Sequence, residues 1–341
     1  MNTTVPIMIV TLCRYQHLVR CIDSLRRNKL AADTELYIGL DYPLKEQHWE
    51  GYRAICAYLE NGLQGFKKVH IIKRAANLGP AENYRALREE IYRDHDAYIY
   101  MEDDNEVSPN YLEYMNKCMN YYRDDEKVLA VSGYMYPIDI SETKGNHIFL
   151  STYYSCFGHG VYRRADELFD RDITMNHFVN IYRDRRKMKK LLKASANQYG
   201  NFVKGMLQYT GDELIRDGEI RKLDLTYGLY MFFNGYKMVF PVVSKVRNHG
   251  FDGSGENCGV QGQKGKDNYR EYDFAKQDID VGEDFELRYI ESDMETIDWN
   301  ERLSRFFAVP KKEVYRTMAA YYLSLFLGIT TVTKLITWMR K

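Results

Sequence analysis

At 341 residues the chain is long enough for one large α/β domain with embellishments or for two modest domains. Its 45% hydrophobic and 28% charged composition is that of a soluble globular protein with a full core, which excludes extensive disorder. Lys plus Arg and Asp plus Glu both number 48, so no global field recruits nucleic acid and none is expected as a partner.

The first thirteen residues, MNTTVPIMIVTLC, carry no basic leader and no cleavage site. Their apolar run is too short to span a bilayer and reads as a first core strand. From residue 5 to about residue 133, short apolar runs alternate with amphipathic stretches, the pattern of βαβ units around a largely parallel sheet. Strands are predicted over residues 5–13, 36–40, 69–72, 97–101 and 128–131. Between them Leu18, Ile22 and Leu25 recur at helical spacing, and a helix over 81–92 opens after a Gly-Pro pair. Ligands of such sheets sit beyond the carboxyl ends of the strands. Thr11, Arg14, Asp41, Asn77, Gly79 and the triplet Glu102-Asp103-Asp104 all fall at that edge.

A strand over 147–151 leads into Tyr153-Tyr154-Ser155-Cys156-Phe157-Gly158-His159-Gly160, which reads either as a substrate-lining loop or as an ordinary turn. Residues 183–204 are strongly basic, as a solvated helix face or as a contact for anionic lipid or substrate. A helix over 223–233 and a strand over 236–243 precede the polar, glycine-rich segment 248–255, and 267–298 turns acidic. The tail carries Lys311, Lys312, Arg316, Lys334, Arg340 and Lys341, with no acidic residue after Glu313. Leu325, Ile329, Val332, Ile336 and Met339 follow helical spacing opposite Thr330, Thr333, Lys334 and Thr337. One amphipathic helix is expected there, packed on the parent domain or lying on a membrane surface. The expected organisation is therefore 1–260 as the main domain, divided at 133/134, then an acidic surface-wrapping segment over 261–310 and a basic amphipathic helix over 311–341. The six cysteines, Cys13, Cys21, Cys56, Cys118, Cys156 and Cys258, lack CxxC or zinc spacing and fit a reducing compartment.

Glu102-Asp103-Asp104 closes the apolar run 97–101. Clustered carboxylates repel one another and cost desolvation energy, so either they solvate a strand end or they await a hard divalent cation and its ligand phosphates. Asp41 has two readings, an acceptor for a base N–H or a turn residue before Pro43, and Asn77-Leu78-Gly79-Pro80 is either a close backbone approach to a sugar or diphosphate or a plain loop. No GxSxG elbow, HExxH, Walker loop or early GxGxxG is present.

The order Thr11-Leu12-Cys13-Arg14, Asp41, Asn77-Leu78-Gly79 and Glu102-Asp103-Asp104-Asn105-Glu106-Val107-Ser108-Pro109 resembles inverting glycosyltransferases of the GT-A fold. The acidic stretch is similar to that of animal N-acetylglucosaminyltransferases that start complex N-glycans. The later half, including 248–255, looks more like bacterial family 2 sugar transferases. The likeness covers residues 5–260. It implies a Rossmann-like, mostly parallel mixed sheet flanked by helices, with a C-terminal helical extension. It also implies a nucleotide-diphosphate sugar donor, UDP-sugar favoured, bound through Mn²⁺ or Mg²⁺.

By that resemblance Asp104 is the direct metal ligand, Glu102 supports the metal through water, and Asp103 lies against the donor ribose or sugar. Thr11, Arg14, Asp41, Asn77 and Gly79 bind the donor. Asp224 matches the catalytic base, although Leu223 stands where relatives commonly have Trp, and Asp212-Glu213 is a competing base. His249 is either an extra metal ligand or a surface histidine. The loop 248–259 would close over the donor through Gly250, Gly253 and Gly255, with Glu256-Asn257 where relatives often carry Thr-His. The acceptor implied is a glycan or lipid-linked oligosaccharide of bacterial surface polysaccharide synthesis. The expected location is cytoplasmic, peripheral at the inner face of the cell membrane. A non-catalytic sugar-nucleotide binder and a nucleotidyltransferase are the rival classes, the latter lacking its usual glycine-rich basic loop after the first strand.

Overall fold

The computed structural model describes residues 4–138, 147–207, 215–216, 219–220, 224–255, 276–289 and 299–339. Asp212, Glu213, Leu223, residues 256–259 and most of the acidic stretch 267–298 lie outside them. The chain divides into two units: Met1–Leu150 with Ser155–Ala165 and Met238–Ser292, and Ser151–Tyr154 with Asp166–Lys237 and Asp293–Lys341. The first unit thus takes in residues on both sides of 133 and continues past 260, while the C-terminal helices belong with residues 166–237.

In chain order the first unit begins β1 (Ile7–Thr11), α1 (Tyr15–Arg26), β2 (Glu35–Leu40), α2 (Trp49–Glu60), β3 (Lys68–Lys73), α3 (Gly79–Ile91) and β4 (Ala97–Glu102). It continues through β5 (Asn105–Val107), α4 (Tyr111–Tyr121), β6 (Val128–Ser132), β7 (His147–Ser151) and β8 (His159–Tyr162). After α5 (Arg163–Asp172), the second unit holds α6 (Met175–Arg183), α7 (Arg185–Ala194), α8 (Ala196–Leu207), β9 (Ile215–Arg216), β10 (Glu219–Ile220) and α9 (Asp224–Asn234). The chain then returns to the first unit as β11 (Lys237–Pro241), β12 (Val246–Asn248) and β13 (Arg288–Tyr289). It ends in the second with α10 (Trp299–Phe306), α11 (Lys311–Leu327) and α12 (Ile329–Met339).

A nine-stranded sheet of order β13-β7-β11-β6-β8-β4-β1-β2-β3 forms the first unit's core. Ile7, Met8 and Ile9 are fully buried, as a central strand requires, and β1 runs parallel to both β2 and β4. β3 extends the parallel run beside β2, whereas β8 is antiparallel to β4 and to β6. The architecture is therefore α/β with a mostly parallel mixed sheet flanked by helices, and the carboxyl ends of β1 to β4 emerge at one edge. Each of the five strands predicted before residue 133 is present. The ribbon that pairs β5 with β12 was not anticipated from sequence, because three-residue strands carry no usable alternation.

Buried polar contacts fix the segment after the acidic triplet. Ser24 Oγ of α1 accepts from Val107 N at 3.0 Å, and Asn28 donates to Ser108 O at 3.1 Å while accepting from Leu112 N at 2.8 Å. Helix α1 and the turn that follows it thus pin β5 and the start of α4, and with them the exit of the triplet.

In the second unit Phe178, Tyr182, Phe202 and Tyr321 pack together, and Tyr182 OH meets Ser324 Oγ at 2.7 Å. The tail differs from the single helix expected over 311–341. Gly328 sits at φ 87°, a left-handed conformation that no right-handed helix continues through, so two helices form. Of the expected apolar face Val332 is buried, while Thr333, from the opposite face, donates through Oγ1 to Leu207 O at 2.6 Å. No helix among the described residues is long and apolar enough to cross a membrane.

Candidate functional site

Strand β4 ends at Glu102, and Asp103 and Asp104 occupy the turn into β5, almost wholly buried. Thr11, the last residue of β1, donates from Oγ1 to Asp103 Oδ2 at 2.7 Å. Arg14, just past β1, bonds Asp103 Oδ1 through Nη2 and lies 2.8 Å from Asp104 Oδ2 through Nη1. One guanidinium therefore spans both carboxylates. Burial would lower the pKa of Arg14, but Asp103 and Asp104 outweigh it and hold the group firmly cationic. For Asp104 the order is reversed. Burial pushes its carboxyl above the ordinary value, Asp103 adds to that push, and Arg14 opposes it.

The β5–β12 ribbon closes the other side of Asp104. Asn105 donates to Asp104 Oδ1 at 3.0 Å, and the Nδ2 of Asn248, its partner in the ribbon register, lies 3.4 Å from the same oxygen. His249 N donates to Asp104 O at 2.9 Å, and Gly250 N donates to Asn248 Oδ1 at 2.7 Å. Position 250 has no room for a side chain, since an added Cβ would collide with Asp104 Oδ2 and lie 2.8 Å from Asp104 Cγ. Asn105, Asn248 and Gly250 were not assigned to Asp104 by sequence reasoning. The Asn-x-Gly repeat after a strand was the signal available.

Asp41 follows β2 and is 4% exposed. Its amide donates to Thr11 O at 2.9 Å, which joins the ends of β1 and β2. Oδ1 accepts from Tyr42 N at 2.9 Å and Leu78 N at 2.8 Å, while Oδ2 accepts from Gly79 N at 2.8 Å and faces Asn77 Nδ2 at 3.4 Å. Asn77 Nδ2 also donates to Tyr42 O at 2.6 Å. Asp41 thus clamps the 77–79 turn, accepting from backbone amides as a turn residue, one of its two sequence readings. Gly79, at φ 74°, permits the sharp entry into α3 that this clamp requires.

Around this edge, His249 Nε2 lies 2.8 Å from Glu106 Oε2, and Arg247 Nη1 lies 3.3 Å from the same oxygen. The His249 hydrogen bond, with Arg247 adding, overcomes burial and lowers the Glu106 carboxyl below its usual range. The imidazole is thereby committed to Glu106. His17 of α1 holds Asp252 at 2.9 Å, tying the 250–255 loop to the sheet unit. Burial is outweighed there by hydrogen bonds from Ser254 and His17, which bring Asp252 down to about 2.

Thr11, Arg14, Asp41, Asn77, Gly79, Glu102, Asp103 and Asp104 are all carried by the first unit at the carboxyl edge of β1 to β4. Asp224 is the first residue of α9 in the second unit. Among the described residues no group of three or more His, Cys, Asp or Glu is arranged to hold a metal ion. The oxygens of Asp103 and Asp104 nevertheless suit a hard divalent cation. Asn105 adds a buried Oδ1 without a hydrogen-bond partner. An octahedral ion whose remaining positions are filled by phosphates and water needs no more than one or two protein oxygens.

No protein-family model matches the chain, and no curated protein matches it. Among solved structures it is similar to the mannosyltransferase PcManGT from Pyrobaculum calidifontis in complex with GDP-Man and Mn²⁺, at 13% identity over 50% of this chain and 47% of that one, TM-score 0.34. It is also similar to S. aureus TarS 1-349, at 13% identity over 50% and 49%, TM-score 0.33. A third is GalNAc-T7 with UDP, GalNAc and Mn²⁺, at 12% identity over 71% and 43%, TM-score 0.38. The chain spans less than half the length of each of these structures.

Proposed function

We propose that the chain is a metal-dependent inverting glycosyltransferase of the GT-A type, moving a sugar from a nucleotide-diphosphate donor, a UDP-sugar in first place, to a hydroxyl acceptor. The observation that carries this reading is the Arg14–Asp103–Asp104 cluster at the carboxyl edge of a parallel sheet. Two carboxylates against one guanidinium leave an excess negative charge in a buried place, which a divalent cation would neutralise. Asp104 would hold Mn²⁺ or Mg²⁺, Glu102 would support it through water, and Asp103 would face the donor ribose or sugar. Bound there, the cation supplies Lewis-acid neutralisation of the departing nucleoside diphosphate.

The chain's own groups do the rest. Asp41 keeps the 77–79 turn rigid, so the donor meets a wall already formed rather than one it must order. Thr11 and Arg14 hold the Asp103 carboxylate in one orientation, the condition for recognising a ribose or sugar hydroxyl. Asp224 is the proposed general base. Its carboxylate takes the acceptor hydroxyl proton late, as the oxygen bonds to the anomeric carbon and becomes acidic. The acceptor proposed is a glycan or lipid-linked oligosaccharide of bacterial surface polysaccharide synthesis, reached from the cytoplasm.

The test is a panel of UDP-, GDP- and dTDP-sugars scored by thermal unfolding with and without Mn²⁺. A ligand that binds the folded chain raises its midpoint by mass action. One donor class is expected to do so only with metal present. No metal-dependent shift with any donor overturns the reading.

A further inference from the structure

The second unit exposes a stripe that its own packing leaves uncovered. On α11 the outward residues are Tyr315 (68% exposed), Tyr322, Leu323, Phe326 (86%) and Leu327, while Thr317, Tyr321 and Ser324 are the ones buried. The helix thus turns large aromatic and aliphatic side chains outward, while two of its buried side chains, Thr317 and Ser324, are small and polar. On α12 the pattern continues with Leu335 and Trp338 (75%), although Val332 faces inward. This stripe is distinct from the Leu325, Ile329, Val332, Ile336 series that composition singled out, since Val332 is consumed by internal packing.

Scattered exposed hydrophobics are ordinary, but a run at spacings of three and four along one helix marks an interaction surface. Its charge selects the occupant. Lys311, Lys312, Arg316 and Lys334 are exposed on the same two helices, and Glu313, the single acidic residue there, is paired with Lys204 at 2.8 Å. In the same unit the exposed Arg183, Arg185, Arg186, Lys187, Lys189, Lys190 and Lys193 of α6 and α7 add further positive charge. Aromatic and aliphatic side chains edged by cations are the chemistry of an anionic lipid surface. No helix among the described residues is long and apolar enough to cross a membrane, and α11, with 17 residues, is about 25 Å long at 1.5 Å per residue against roughly 30 Å of hydrocarbon.

We infer that the outward face of α11 and α12 docks on an anionic membrane surface, with Tyr322, Phe326, Leu327 and Trp338 entering the headgroup boundary and Lys311, Lys312 and Arg316 meeting lipid phosphates. The surface stands independently of the proposed transfer reaction, because no residue of the carboxylate cluster takes part in it.

The full chain is mixed with vesicles of phosphatidylcholine alone or with phosphatidylglycerol added, and bound protein is measured by co-sedimentation. Binding to the anionic vesicles is expected at least tenfold above that to neutral ones, with a blue shift of tryptophan emission that Trp338→Phe removes. Phe326→Ser with Leu327→Ser is expected to cut binding at least tenfold while leaving circular dichroism unchanged, since neither side chain is buried. Lys311→Gln with Lys312→Gln and Arg316→Gln is expected to abolish the preference for anionic lipid, which gives a second readout if the serine variant misfolds. Equal binding to both vesicles, or none, overturns the inference. So does a concentration-dependent dimer in light scattering that the Phe326→Ser, Leu327→Ser variant dissolves.

Discussion

Nη1 of Arg14 lies 2.8 Å from Oδ2 of Asp104, so a residue just past the first strand neutralises the carboxylate proposed to bind metal. Arg14 therefore holds together a pair of like charges that would otherwise repel. Replacing it with alanine leaves both carboxylates buried without a counter-charge. The expected loss is about 1–3 kcal/mol, below the figure for a fully buried pair because the Arg14 side chain is 21% exposed. Added Mn²⁺ is expected to raise the unfolding midpoint of Arg14→Ala by more than that of the parent chain. Equal shifts would show that the ion does not share this charge environment.

Asp104→Asn and Asp224→Asn separate binding from chemistry. The first is expected to abolish the Mn²⁺-dependent thermal shift. The second is expected to leave donor affinity within a few fold while lowering turnover by roughly 10²- to 10⁴-fold, the usual contribution of a general base. Near-normal turnover in Asp224→Asn would remove that residue from the mechanism.

Gly250→Ala places a methyl against Asp104. Backbone and carboxylate cannot both keep their positions, and overpacking of this kind costs about 1–3 kcal/mol. The checkable result is a lower unfolding midpoint together with weaker Mn²⁺ binding by calorimetry. A change in stability with metal binding untouched would show that the loop yields and Asp104 does not.

Asp41→Asn keeps the shape of the clamp and replaces one acceptor oxygen by an N–H₂ group facing backbone donors. Leaving a buried donor unpaired costs about 1–3 kcal/mol. Donor affinity is expected to fall as the 77–79 turn loosens, with Mn²⁺ affinity in the absence of donor nearly unchanged. Hydrogen exchange at Leu78 and Gly79 would report the loosening directly.

His159 supplies a pH dependence. Burial holds its imidazole down at about 4, against 6.5 for the free side chain. Above the unfolded value neither state binds the proton and stability is unaffected. As pH falls through the interval between the two values the unfolded chain is protonated first, so stability is lost progressively, by roughly 3 kcal/mol in all. Urea titrations from pH 7 to pH 4 should show this fall, and His159→Gln should flatten it.

The parallel strands and the position of the acidic triplet were legible because buried strands are runs of apolar residues and their ends are marked by polar ones. Thr11, Arg14, Asp41 and Asn77 were legible as strand-end residues for the same reason. What each of them touches was not. Asp41 reads from sequence as either a base acceptor or a turn residue, and only the structure shows that backbone amides from 42, 78 and 79 donate to its carboxylate. That pairing depends on a turn geometry no local pattern encodes. The tail's helical spacing was legible, but its break was not: Gly328 at φ 87° divides it into α11 and α12, a backbone conformation that apolar periodicity does not encode.

Asn105 stands opposite Asn248 in the β5–β12 ribbon, and that pairing makes two distant stretches of chain a single heritable unit. A slip of one residue would turn the Asn248 carboxamide to the other face and bring an imidazole in its place. Neither short strand can drift in register without the other. Sequence divergence in descendants of this chain should therefore stop abruptly at both.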